Sequence, residues 1–164
     1  MLMVRCVKLI VQSVRDNIKV DILKAVVYRG PHNIKVEDVS EPLVTGKKVL
    51  VDFKSGGLCG TDMHFYRGDW RWMKRGRIIG HDAAGIRVDS GERVVMIPLV
   101  YCGKCYYCLR GLSTYCTRGK FLGLRDGFFA EKIALNPSNL IPIPTTLAMM
   151  KPHLCSQWLW HFAC

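Results

Sequence analysis

Four cysteines, Cys102, Cys105, Cys108 and Cys116, stand in the spacing Cys-x2-Cys-x2-Cys-x7-Cys, close enough along the chain for all four sulfurs to face one point. Zinc takes four thiolates tetrahedrally with no directional preference of its own, so turns that carry cysteines three apart deliver its ligands without strain. The spacing predicts a tetrathiolate zinc site. The competing reading, two disulfides, is weaker on physical grounds, because bridges inside Cys-x2-Cys pairs close very small loops and disulfide stabilisation grows with the loop. Gly103, Gly111, Ser113 and Thr114 fall between or beside the cysteines, and no periodic apolar pattern runs through them. The metal is therefore expected to be structural, supplying the folding energy that a core cannot supply here.

The rest of the chain sets the frame for this segment. Its 164 residues, 49% of them hydrophobic, suit one globular domain, with or without ragged ends. Arg5 and Lys8 interrupt any apolar opening run, so no signal peptide is expected, and with eight cysteines a reducing cytoplasm is the expected compartment. No stretch has the length and apolarity of a membrane-spanning helix, so no membrane partner is expected. The net charge of +11 favours polyanions. The run from Arg67 to Arg77 mixes cations with Trp70 and Trp72. Without a recognised nucleic-acid module beside it, that run reads as a solvated basic loop whose tryptophans cover a pocket, and nucleic acid is not an expected partner.

From Lys24 onward short apolar runs alternate with turn signals: Ala25 to Tyr28 before Gly30-Pro31, Ile34 to Val39 before Pro42, Val49 to Phe53 before Gly56-Gly57. The two-residue period of Val49, Val51 and Phe53 points to a mainly β fold with minor α, not a doubly wound one. Phe128 to Leu135 is expected as a further strand, Asn136 to Asn139 as a turn, and the stretch from Thr61 towards Arg67 as the one helix. Residues 1–23 form an apolar and basic N-terminal extension. Residues 151–164 form an atypical apolar tail with two tryptophans, a phenylalanine and two cysteines, expected to seek a groove or a partner.

Three local sequences then fall in order: Gly57-Leu58-Cys59-Gly60-Thr61-Asp62-Met63-His64, Gly80-His81-Asp82-Ala83-Ala84-Gly85, and the four-cysteine segment. With Gly91-Glu92-Arg93-Val94 and Asp126-Gly127-Phe128-Phe129-Ala130-Glu131, this order resembles the N-terminal catalytic domain of the zinc-containing medium-chain alcohol dehydrogenases, with a lean toward the polyol and threonine dehydrogenase branch. The resemblance covers residues 24–150. It implies a GroES-like, partly open β-barrel carrying a small zinc lobe at about residues 100–118. Taken alone, Cys59 reads as a buried thiol and His81 as a satisfied core histidine. The joint motif order reverses this and makes them two ligands of an open zinc site that polarises an alcohol oxygen. The resemblance also implies that Thr61 hydrogen-bonds that oxygen and passes its proton to His64, while Asp62 holds the imidazole of His81.

The chain departs from the family in several places. No Gly-x-Gly-x-x-Gly turn follows a strand, and Gly119, Gly123 and Gly127 are spaced by four, so no Rossmann domain is read and NAD(P) is not expected to bind this chain alone. Asp82 stands where the family has glutamate, one methylene longer. Residues Ile86 to Ser90 cross directly to Gly91 where the family usually has a longer hairpin. Met150-Lys151-Pro152 puts a cation where the polyol-type branch has a ligand glutamate, and an ammonium repels a divalent metal. The second site, Cys59, His81 and Asp82, is accordingly expected to hold zinc weakly or not at all, with Thr61, His64 and Asp62 a vestigial catalytic set. The expected function is a truncated, zinc-binding, alcohol dehydrogenase-like protein of an NAD(P)-dependent oxidoreductase family, inactive alone. The alternatives are a dehydrogenase subunit completed by a separate cofactor-domain chain, or a basic zinc-stabilised nucleic-acid module. A homo-oligomer is compatible with either enzyme reading.

Overall fold

Alternating apolar residues shape ten short antiparallel strands among the described residues. The computed structural model describes residues 21–146. Strands β1 (Ile22–Gly30) and β2 (Asn33–Ser40) form a hairpin whose register runs from Ile22 opposite Ser40 to Tyr28 opposite Ile34. On the other edge of β1 lies β4 (Arg77–Ile78), which completes a three-stranded sheet. The larger sheet has five strands. Its order is β10 (Leu140–Pro142), β6 (Arg93–Met96), β5 (Asp82–Arg87), β3 (Val49–Gly57) and β9 (Lys132–Leu135), each antiparallel to its neighbours. The first strand thus begins two residues before Lys24.

The two-residue period decides which side chains meet. Val94 and Met96 of β6 and Ile133 and Leu135 of β9 turn inward and pack with Val51, Ala83 and Phe128. On the smaller sheet Leu23, Ala25 and Val27 turn inward against Ala130. Complete removal of Val51, Val94, Met96 and Phe128 from water contributes roughly 1.5–3 kcal/mol per side chain. The sheets meet where Ala25 bridges Ala130, the Val26 amide donates to Phe129 O, and the Glu131 amide donates to Lys24 O. They wrap partway round the core without closing a barrel.

One expected strand is shorter than its sequence suggested. Of Phe128 to Leu135, only Lys132–Leu135 pairs with β3. The preceding amides donate elsewhere, Phe128 N–H to Gly80 O, Phe129 N–H to Ile79 O and Glu131 N–H to Lys24 O, while Glu131 O still accepts the Phe53 amide of β3. A continuous apolar run here is a crossing between two sheets, which periodicity cannot distinguish from one strand. The direct crossing expected after Gly85 is present, since β5 turns into β6 with the Gly91 amide bonded to Arg87 O and the Arg87 amide to Glu92 O.

Helix α1 (Gly60–Arg67) spans the stretch expected to be helical. Gly68 ends it with φ 80°, a left-handed conformation that glycine adopts without the Cβ penalty, and its amide reaches His64 O and Phe65 O. Phe65 anchors the helix among Tyr28, Met73 and Ile79. Strands β7 (Leu99–Val100) and β8 (Lys120–Phe121) pair with each other and pinch off the intervening loop as a lobe. No helix among the described residues is long and apolar enough to cross a membrane. The extension before residue 21, Lys151 and the tail 151–164 lie outside the described residues.

Candidate metal centres

Within the lobe, Cys105 caps the short helix α2 (Tyr106–Leu109), which carries Cys108, and a 3-10 turn over Ser113–Tyr115 delivers Cys116. The sulfurs of Cys105 and Cys108 are 3.5 Å apart, those of Cys102 and Cys108 3.9 Å, and those of Cys105 and Cys116 3.9 Å. A tetrahedral zinc with Zn–S bonds of about 2.3 Å sets its sulfurs about 3.8 Å apart, so this thiol set fits the ion closely. No side chain of the lobe between residues 101 and 119 is buried, which leaves coordination as its main source of order.

Two of the thiols are tuned for deprotonation and one against it. The Lys104 backbone amide holds Cys102 down to about 6, and the Cys108 amide holds Cys105 below its ordinary value. Partial desolvation and the neighbouring thiols push Cys108 up to about 11. Arg118 adds a cation 3.5 Å from the Cys102 sulfur. The described cysteines are all free.

The second cluster forms where α1 begins. Cys59 is its N-cap, and Cys59 Sγ accepts the Thr61 amide at 3.2 Å while lying 2.8 Å from His81 Nε2. Asp62 closes a capping box by accepting the Cys59 amide through Oδ2 at 3.0 Å. Its other oxygen, Oδ1, faces His81 Nδ1 at 3.4 Å, and these two buried atoms have no other hydrogen-bond partner. Gly80, with φ 86°, turns the chain into His81, whose ring meets Phe121 edge-on at 5.1 Å. Burial pulls the His81 pKa down, but the Asp62 carboxylate, with Cys59 and Asp82, outweighs it and raises it to about 9. Burial raises the Asp82 carboxyl, whose Oδ2 stands 4.0 Å from His81 Nε2.

This second donor set fits a metal less well than the lobe. Tetrahedral zinc separates a thiolate sulfur and an imidazole nitrogen by about 3.6 Å, so Cys59 and His81 at 2.8 Å form a hydrogen-bonded pair that must part to admit an ion. Cys59, Asp62 and His81 each offer a donor atom within 4.8 Å of one another. Asp62 nonetheless lies on the Nδ1 side of the ring, where a carboxylate orients an imidazole rather than sharing its metal.

The remaining site residues are spread along α1. His64 is partly exposed, with Nδ1 3.0 Å from Asp69 Oδ2 and its ring stacked on Trp70 at 5.0 Å and 9°. Trp70 also meets Phe65, and Trp72, itself 68% exposed, lies with its ring centroid 5.6 Å from that of Trp70. Sequence reasoning missed Asp69, Trp70 and Phe121 as neighbours of the site residues. For Asp69 the helix-ending Gly68 was the available signal, because a reversed chain returns its next residue to the last turn.

Comparisons with known proteins identify the family of this domain. Residues 45–145 match the alcohol dehydrogenase GroES-like domain. The starvation-sensing protein RspB of Escherichia coli is 35% identical over 136 residues, covering 77% of this chain and 40% of that protein. An alcohol dehydrogenase of Geobacillus stearothermophilus is 34% identical, covering 76% of this chain and 40% of its own length. Among solved structures, zinc dependent alcohol dehydrogenase 2 from Streptococcus pneumonia superposes with a TM-score of 0.69 at 29% identity, covering 77% of this chain and 40% of that one. The chain spans about 40% of the length of these relatives.

Proposed function

Because the chain belongs to the alcohol dehydrogenase GroES-like domain family, we propose that it is the zinc-binding catalytic moiety of an alcohol or polyol dehydrogenase, dependent on a separate nicotinamide-binding domain for turnover. The observation that carries the reading is the meeting of Cys59 and His81, from separate segments, with Asp62 behind the ring. The four lobe cysteines hold a structural zinc. Cys59 and His81, with Asp82 in reach after a side-chain rotation, hold a weaker catalytic-type ion. Such an ion supplies Lewis acidity toward a substrate oxygen.

The chain's own residues do the rest. Asp62 accepts from His81 Nδ1 and fixes the ring with Nε2 toward Cys59. The Thr61 hydroxyl receives the substrate's hydroxyl proton as it gives its own to His64 Nε2. His64, one turn further along α1, passes it to water from Nε2, because Asp69 engages Nδ1. Hydride transfer needs donor and acceptor held together, so NAD(P) binds productively only when another domain or chain supplies its site. A homo-oligomer or a partner with that site completes the enzyme, and the free thiol ligands suit a reducing cytoplasm.

A cobalt titration of the metal-free chain, followed by ligand-field and thiolate charge-transfer absorption, tests this. Two successive sites are expected, the tighter with a four-thiolate spectrum. Cys59→Ser should abolish the weaker one and leave the tighter unchanged. A weaker site that survives Cys59→Ser with its spectrum intact would overturn the assignment.

A further inference from the structure

The zinc lobe carries exposed side chains to which the proposed reaction assigns no role. Tyr106, Leu109, Leu112 and Tyr115 are 62%, 72%, 48% and 67% exposed, and Tyr107 lies among them. The three tyrosines form one stripe: the Tyr106 and Tyr107 ring centroids are 5.4 Å apart, those of Tyr107 and Tyr115 6.1 Å. Arg110 sits over the Tyr106 ring, its guanidinium carbon 3.6 Å from the centroid. Lys104 and Arg118 are exposed on the same lobe, and Lys120 at its base in β8. From Arg93 to Arg125 the sequence has no aspartate or glutamate. Four thiolates on one zinc leave two negative charges at the lobe centre, and Arg118 faces that sulfur set, so Lys104, Arg110 and Lys120 remain available outward.

We propose that this face of the lobe binds single-stranded nucleic acid, with bases stacked on Tyr106, Tyr107 and Tyr115 and phosphates held by Lys104, Arg110 and Lys120. Charge complementarity selects the occupant. A second copy of a chain with net charge +11 is repelled from a basic patch, and an acidic peptide would neutralise the cations but leave the exposed rings without planar partners. A single strand satisfies both, because every base presents a π face and every linkage a phosphate.

The test uses the zinc-loaded chain and fluorescein-labelled 20-mers of dT and rU, read by anisotropy. With three phosphate contacts, log K should fall against log[salt] with a slope of about −2, a loss of about twenty-fold between 50 and 200 mM. Tyr106→Ala with Tyr115→Ala should weaken binding by about tenfold or more, while Tyr106→Phe with Tyr115→Phe should stay within about twofold. Lys104→Gln with Lys120→Gln should flatten the salt slope, whereas Arg71→Gln with Lys74→Gln should leave it unchanged. Zinc content of one lobe equivalent per variant certifies the fold of each. The proposal is overturned if a 20-bp duplex or an oligoglutamate binds as tightly as the single strand. It is equally overturned if the alanine pair binds like the parent, if the Arg71 and Lys74 pair carries the effect, or if sedimentation shows the lobe buried in a dimer.

Discussion

Gly127→Ala should damage the fold and the second metal centre together. A Cβ at Gly127 would lie 2.1 Å from Gly80 O and 2.6 Å from Ile79 O, whereas ordinary contact begins at 3.4 Å. Both obstacles are backbone, so relief requires the segments to part by more than an ångström. Three hydrogen bonds join them there: Gly127 N–H to Ile78 O at 2.8 Å, Phe128 N–H to Gly80 O at 2.9 Å and Phe129 N–H to Ile79 O at 3.0 Å. Losing two of these costs about 2 kcal/mol, and displacing the fully buried Phe128 adds about 1–3 kcal/mol of overpacking. The expected destabilisation is therefore about 3–5 kcal/mol, with His81, which follows Gly80, drawn away from Cys59. Urea unfolding at fixed zinc, followed by far-UV circular dichroism, measures it. Gly60→Ala is the control, because a Cβ there meets nothing within 4 Å, and it should stay within about 1 kcal/mol of the parent. A Gly127→Ala protein within 1 kcal/mol of the parent would refute the close-approach argument.

Further outcomes follow from the two metal centres. Cys105→Ser should release the lobe zinc and unfold the lobe while the five-stranded sheet persists, visible as lost zinc by elemental analysis and collapsed amide dispersion confined to residues near 101–119. Asp82→Glu, which extends a carboxylate now 4.0 Å from His81 Nε2 by one methylene, should tighten the second metal site about tenfold or more in a competition titration. With that site kept free of metal, the His81 imidazole should titrate near 9 by NMR. Since this lies above the ordinary value of 6.5, the protonated ring stabilises the fold fully below pH 6.5 and the contribution is lost as pH rises through 9. Asp62→Asn should lower that pKa and shrink the loss. The isolated chain with any alcohol and NAD(P) should give no sustained rise in nicotinamide absorbance.

The lobe was legible in the sequence because its ligand spacing is local: cysteines three apart need only turns to converge, and the sulfurs lie 3.5–3.9 Å apart. The alternation in Val49 to Phe53 likewise marked a strand whose inward residue, Val51, is fully buried. Helix α1 was readable because Gly68 ends it in a conformation glycine favours. The crossing at Phe128 to Glu131 was not legible, since an apolar run serves a strand and a bridge between sheets equally well. Nor was the closeness of Cys59 to His81 available from periodicity. It depends on β3 pairing with β5, where Gly57 stands opposite Asp82, and only the motif order pointed to it. The stack of His64 on Trp70 escaped notice because Trp70 was assigned to the basic run from Arg67 to Arg77 rather than to the helix it packs against.

The central claim is that the lobe is a tetrathiolate zinc site in an alcohol dehydrogenase-type catalytic domain. Zinc-edge X-ray absorption on the chain loaded with one equivalent of metal tests it most directly. The account predicts a single shell of four sulfurs at about 2.3 Å, lost in Cys105→Ser and unaffected by Cys59→Ser. A first shell containing nitrogen or oxygen at that stoichiometry, or thiols recovered as disulfides in a protein that folds without metal, would contradict it.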